Sequence, residues 1–210
     1  MKKIIIVGAG GFGRELLQWI KDINSRQQRW EILGFIDDNL QALNDIECDF
    51  PIIGSIQNWT PKQDELFACA IANPKIKEKI VNLLSDKGAI FQSIIHPSAI
   101  IGELNRIGQG FVAYPGACVT ANVCIGDFVT LLNSSIGHDA VIGDFSTISS
   151  FCDITGGVKI GKGAFLGSHA TIIPQKKIGD HAYIGAGSVV ISNIKENMKV
   201  MGNPAKKIEF

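Results

Sequence analysis

The chain has 210 residues, with 20 Lys and Arg against 20 Asp and Glu, and 46% of it is hydrophobic. That is enough apolar material for one compact domain or two small ones, and too much for a disordered chain. Charge neutrality argues against a dedicated nucleic-acid binder. No apolar run reaches the roughly 18–20 residues of a membrane span. An odd set of five cysteines with no CxxC pair points to a reducing, cytoplasmic setting rather than a disulfide framework.

The N-terminus, MKKIIIVGAGGFGRELL, superficially resembles a signal peptide, but it breaks into glycines and then into a charged helical pattern. Lys3–Val7 is predicted as a buried strand. Arg14–Asn24 is predicted as a helix with Leu16, Leu17, Ile20 and Ile23 apolar. Residues 31–36 (EILGFI) read as a second strand ending at Asp37 and Asp38, and residues 51–56 as a short strand or turn. Residues 66–72 (LFACAIA) read as a further strand. Residues 74–85 open with Pro at a helix start and place Ile76, Ile80 and Leu83/Leu84 on one face, and Ile90 and Phe91 lead into a last strand. Strand, glycine turn, helix, strand is the order of a small Rossmann-like α/β domain with a parallel sheet, assigned to residues 1–92.

From about Ile95 the pattern changes to a period of six. Aliphatic or small residues recur at 95, 101, 107, 113, 119, 125 and 131, slip by one, and resume at 136, 142, 148, 154, 160, 166, 172, 178, 184 and 190. Glycine follows many of them directly, as at Gly102, Gly126, Gly143 and Gly161, where it is expected to ease a bend. A strand has period two and a helix 3.6, so a strict six with one large inward aliphatic fits flat strands joined by tight bends. Three strands make one triangular coil of 18 residues. One coil cannot bury its own face, so coils must stack. Residues 93–210 are therefore expected to form a parallel β-helix with a C-terminal cap, left-handed by the resemblance of these hexads to those of left-handed β-helix acyltransferases. The cysteines at 118 and 124 then sit at equivalent repeat positions, and their spacing needs no metal.

Two constellations carry chemistry. Gly8, Gly10 and Gly13, with Gly11 and Phe12 between, form GxGxxG between a strand and a helix, a turn that offers backbone N–H groups to a phosphate. From the residues alone it is a nucleotide site, a dinucleotide site or a purely structural turn. The second is His138, third in its hexad, at a bend and outward, beside Asp139. Eighteen residues on, the count reaches Gly156, which leaves space beside the imidazole and bares an amide. A base plus an amide donor about one strand spacing apart, roughly 5 Å, suits acyl transfer. The competing readings are a surface histidine and an Asp139 that only caps its turn. His96 reads as a cap of the coil stack, and His169 and His181 lie on different faces. No convergent set of zinc ligands is seen.

The hexads, the front MKKIIIVGAGGFGRELL, FIDD at 35–38, IHPSAIIG at 95–102, SSIGHDAVIGD at 134–144 and GNPAK at 202–206 together resemble one family over essentially the whole chain. It comprises the bacterial sialic-acid O-acetyltransferases and the bacillosamine-type nucleotide-amino-sugar N-acetyltransferases. The resemblance implies N-acetylation of a nucleotide-linked aminodeoxy sugar in lipopolysaccharide, O-antigen or related glycan synthesis. The alternatives are O-acetylation of sialic acid and a non-catalytic nucleotide-sugar scaffold. It implies acetyl coenzyme A as cosubstrate, His138 as base with Asp139 as partner, and a homotrimer. It places the nucleotide-sugar at Gly8–Gly13 with Asp37 and Asp38 on the nucleoside side. It makes Gly156, Ala164, Gly167, Ala170, Ile173 and Pro174 candidates for the pantetheine wall, and Gly202, Asn203 and Pro204 candidates for the adenine end. Some relatives contact the acyl donor through a second histidine nine residues after the first; here that position is Thr147.

Overall fold

The structure, a computed structural model, describes residues 1–209. It divides into two compact units, Met1–Pro97 and a second that begins at Ser98. The first holds β1 (Lys2–Val7), α1 (Gly11–Arg26), β2 (Trp30–Ile36), β3 (Ile52–Gly54), β4 (Glu65–Cys69) and α2 (Pro74–Asp86). Its sheet is parallel in the order β3-β2-β1-β4. β1 lies between two neighbours, and Ile4, Ile5, Ile6 and Val7 are buried outright. Four successive buried residues mean that both faces of β1 are covered, and this explains an unbroken apolar run rather than an alternating one. Helix α1 buries Leu16, Leu17, Ile20 and Ile23, as its periodicity predicts, together with Trp19.

Helix α2 starts where Asn73 caps it: the Asn73 side chain accepts from the Lys75 and Ile76 amides at 3.1 Å each, and Pro74 follows. Its buried face corrects the sequence expectation. Pro74, Lys77, Val81 and Leu84 are buried, while Ile76 is half exposed. The reach of Lys77 lets its stem pack where an aliphatic was expected, and burial pushes its ammonium down to a pKa of about 7. The expected last strand shrinks to a single bridge between Phe91 and Phe67. His96 belongs to this unit too: its Nε2 lies 3.2 Å from Asp22 on α1.

The second unit is a parallel β-helix of two-residue strands. One face stacks the strands at 106–107, 124–125, 141–142, 159–160 and 177–178, and another stacks those at 100–101, 118–119, 135–136, 153–154, 171–172 and 189–190. The third carries Val112–Ala113, Thr130–Leu131, Thr147–Ile148, Phe165–Leu166, Tyr183–Ile184 and Lys199–Met201, with Lys206–Lys207 antiparallel at the end. In the parallel strands of the coils the second residue points in. Val119, Ile136, Ile154, Ile172 and Val190 form one continuous buried ladder, each contributing about 1.5–3 kcal/mol of burial.

Regular coils pair residues 18 apart, as Ile136 with Ile154, but Ile136 pairs back to Val119, 17 away. The slip seen in the sequence is thus one shortened bend, between Leu131 and Ser135, in the coil that leads to His138. The hexad glycines serve a different purpose from the one expected. Their φ is ordinary; what they allow is close stacking, since a Cβ on Gly143 would meet the Gly161 backbone at 2.5 Å. The left-handed residue sits two places later. Leu104, Asn122, Phe128, Asp139, Phe145, Phe151, His169, Gln175 and His181 all have φ near +60°.

Candidate active site

The left-handed corner is what makes His138 and Asp139 a pair. Adjacent residues on an extended strand point apart. With φ at 60°, Asp139 turns back toward its neighbour, and its Oδ2 lies 2.7 Å from His138 Nδ1. A carboxylate only accepts, so Nδ1 carries a proton, and in the neutral ring the lone pair is on Nε2. The second Asp139 oxygen, Oδ1, accepts from Asn122 Nδ2 at 2.6 Å, one coil earlier. The His138 hydrogen bond, then the Asn122 one, hold the Asp139 carboxyl below its ordinary value. Both His138 and Asp139 are exposed, so no core is being filled.

The free ring edge faces Gly156. A Cβ built there would stand 2.6 Å from His138 Nε2. The coil register predicted from the 18-residue count therefore holds at this point, and only glycine leaves room for the imidazole. The Gly156 carbonyl accepts from the Gln175 amide and the His138 carbonyl from the Gly157 amide, whereas the Gly156 N–H donates to nothing among the described residues. It is a spare donor beside a base. His138, Asp139, Gly156, Gly157, Pro174 and Gln175 line one cleft of about 270 Å³. The sequence reading had not singled out Asn122, Gly157 and Gln175. All three are fourth in their hexads, in the same corner column as Asp139, which is the signal that would have found them.

The other expected donor contacts scatter. Pro174 reaches the cleft with Gly156, and Ile173 lies beside it, half-buried. Ala164 and Ala170 are fully buried inside the prism, where their small size fits the coil interior, so they present no wall. Gly167 is buried as well, and a Cβ there would press on the Ala186 amide at 2.6 Å. Thr147 is an outward residue of the third face, is buried, and is absent from the cleft. Gly202, Asn203 and Pro204 turn the chain between the two terminal strands. Val189 N donates to Gly202 O at 3.0 Å and Ala205 N to Val189 O at 2.8 Å, which closes the last coil. Cys152 is buried with its Sγ 3.2 Å from Gly167 O, a packing residue whose thiol burial pushes upward.

In the first unit, the glycine turn divides its labour. A Cβ on Gly13 would collide with the Gly8 carbonyl, so that glycine lets helix and strand approach. Among the described residues, nothing lies within 4 Å of a Cβ position on Gly10 or Gly11, and no side chain caps α1, whose first turn carries no acid. The uncapped amides around Gly11 and Phe12 are the kind of end that receives an anion. The acidic pair turns onto the chain itself. Asp37 Oδ2 accepts from Ala9 N at 2.7 Å and Oδ1 from Asn39 N at 2.8 Å, while Asp38 Oδ1 accepts from Gln57 N at 3.0 Å. Asp37 thereby fixes the glycine turn, a role the sequence reading did not give it.

Comparison with known proteins adds an independent line. Residues 3–84 match the PglD N-terminal domain family, and residues 133–174 and 157–192 match the bacterial transferase hexapeptide family of six repeats, whose coils are left-handed. The chain is 30% identical over 217 aligned positions to GDP-perosamine N-acetyltransferase of Escherichia coli O157:H7, covering 97% of this chain and 95% of that one. The acetyltransferase domain of PglB from Neisseria gonorrhoeae FA1090, solved with acetyl coenzyme A, superposes with a TM-score of 0.90 at 28% identity, covering 99% of both chains. WeeI from Acinetobacter baumannii AYE gives a TM-score of 0.88 at 29% identity, over 99% of this chain and 100% of that one.

Proposed function

Because the chain belongs to the nucleotide-amino-sugar N-acetyltransferases of the hexapeptide-repeat class, we propose that it moves the acetyl group of acetyl coenzyme A onto the amino group of a nucleotide-linked aminodeoxy sugar, with His138 as general base. The observation that carries the roles is the orientation of one ring: Nδ1 bound to Asp139 at 2.7 Å, Nε2 turned to Gly156. The neutral amine attacks the thioester carbon, and His138 Nε2 takes its proton as the C–N bond forms. The oxygen that becomes negative accepts from the Gly156 N–H. Collapse breaks the C–S bond, and the imidazolium returns the proton to the departing thiolate, giving amide and free coenzyme A. Asp139 stabilises the imidazolium between the two transfers. No covalent enzyme intermediate is required.

The glycine turn of the first unit is assigned to the acceptor's phosphates, held by the amides of Gly10–Gly13, with Asp37 bracing that turn. GDP-perosamine, the sugar in the name of the Escherichia coli relative, heads the list of acceptors, followed by UDP- and dTDP-linked 4-amino sugars. The product feeds surface-glycan synthesis such as O-antigen. Both substrates are charged, membrane-impermeant nucleotides, which supports a cytoplasmic reaction. We assign a homotrimer as the active form, supported by the family and by the stacked Phe165 and Tyr183 rings, 5.3 Å apart on the third face; light scattering on the purified protein tests it.

The decisive test is thiol release by purified His138→Ala at saturating concentrations of both substrates. Turnover should fall by about 10²- to 10⁴-fold, and the acid limb of the pH profile should disappear. Near-wild-type turnover would remove His138 from the mechanism. Transfer to a sialic-acid hydroxyl, with none to any amino sugar, would replace N- by O-acetylation.

A further inference from the structure

We infer that Asn122 is a positioning residue for the acyl transfer, acting on His138 solely through Asp139. The inference rests on His138 being the base. Asp139 is exposed, and a carboxylate on the surface rotates freely about its last torsion. Its bond to His138 uses one oxygen, Oδ2, at 2.7 Å. The bond from Asn122 Nδ2 to the other oxygen, at 2.6 Å, fixes the carboxylate plane and so the direction in which Oδ2 faces the imidazole. Asn122, Asp139 and His138 form a chain across two stacked coils, with a neutral donor at its far end.

The residue type fits the position for two reasons. Asn122 has φ 56°, in the left-handed region that asparagine tolerates better than most side chains. Its own backbone is held, since its amide donates to Glu103 O at 3.2 Å, so the side chain projects from a fixed base. An acid at that point would face Asp139 with like charge, and a longer amide would not hold the 2.6 Å contact without displacing the carboxylate.

Glycine separates the amide from the backbone, because glycine occupies the left-handed corner at no cost. Asn122→Gly should keep the wild-type melting temperature and both Michaelis constants, and lose about fivefold in kcat. A kinetic cycle with Asp139→Gly is the decisive arm, since that variant also keeps the left-handed corner. In the Asp139→Gly background, Asn122→Gly should have no further effect on kcat. An undiminished fivefold loss there would show that Asn122 acts on the reaction by another route and would overturn the inference. So would wild-type kcat in Asn122→Gly alone. His138→Ala measured alongside separates the two levels: if it is inactive and Asn122→Gly is not impaired, the base assignment stands and only the role of Asn122 falls.

Discussion

His138 Nε2 lies over the bare α-carbon of Gly156, one coil further along, so close that a Cβ there would stand 2.6 Å away. In the proposed mechanism the contact would bring together the base and an amide that has no partner among the described residues, in one step of the coil stack.

Gly156→Ala tests that closeness. The added methyl must push the ring aside, and a displacement of about 1 Å in a catalytic group costs about 10²-fold. The effect is expected in kcat, with the circular dichroism spectrum unchanged because the cleft is open on its other side. A variant with unchanged kcat would mean that the reaction does not use this edge of the imidazole.

Asp139 should titrate below the ordinary carboxylate range, since the bonds from His138 and Asn122 both favour its charged form. Its help to His138 is therefore fully present above the ordinary value and is lost only as pH falls through the lowered one. A carbon-detected NMR titration of the carboxyl reads this directly, and the midpoint should rise when Asn122 is replaced by glycine. Asp139→Asn keeps the shape and removes the charge, and with Asn122 donating to its one oxygen its own NH2 would face His138 Nδ1 and favour the wrong tautomer, so a loss approaching about 10⁴-fold in kcat at neutral pH is expected.

Asp37→Ala should act on the acceptor. It frees the Ala9 amide and should loosen the glycine turn, whose uncapped amides at Gly11 and Phe12 are the ones proposed to hold the acceptor's phosphates. The acceptor's Michaelis constant should rise by about tenfold while that for acetyl coenzyme A stays put. Equal changes in both constants would detach the glycine turn from acceptor binding.

Lys77 supplies a stability test. Its pKa, about 7 in the folded chain, lies well below that of an ordinary lysine. Between those two values the unfolded chain binds the proton and the folded chain does not, so stability rises with pH across that window. Lys77→Met keeps the volume without the charge. It should stabilise the protein by about 1–2 kcal/mol at neutral pH and flatten the rise, as measured by urea unfolding at pH 7 and pH 10. A wild-type slope in the variant would place the titration elsewhere.

The hexad made the β-helix legible because an inward side chain and its neighbours repeat with the chain itself; Val119, Ile136 and Ile154 can be placed in one column by counting. Counting also found Gly156 above His138, since the coil between them is regular. One coil lower a fixed count of 18 would give Ala121, but with the one-residue slip included the position shared with Asp139 is Asn122; what spacing does not give is the hydrogen bond between their side chains. The fourth hexad position was equally hidden. Glycine after the aliphatic looked like the residue for the bend, yet the left-handed φ falls on Asp139, Gln175 and their equivalents, because close stacking of coils is what demands the glycine.

The sequence alone determined that a parallel α/β unit precedes a coil stack, that His138 points outward, and that a glycine turn opens the first helix. Those features depend on residue types at short, regular spacings, where local geometry leaves few alternatives. The tertiary structure decided which groups hold those residues in place. Asn122 on Asp139, Asp37 on the Ala9 amide and Lys77 in place of Ile76 on the buried face of α2 are all settled by contacts between distant segments. Such contacts depend on side-chain reach and on which groups meet across coils and strands, and spacing specifies neither.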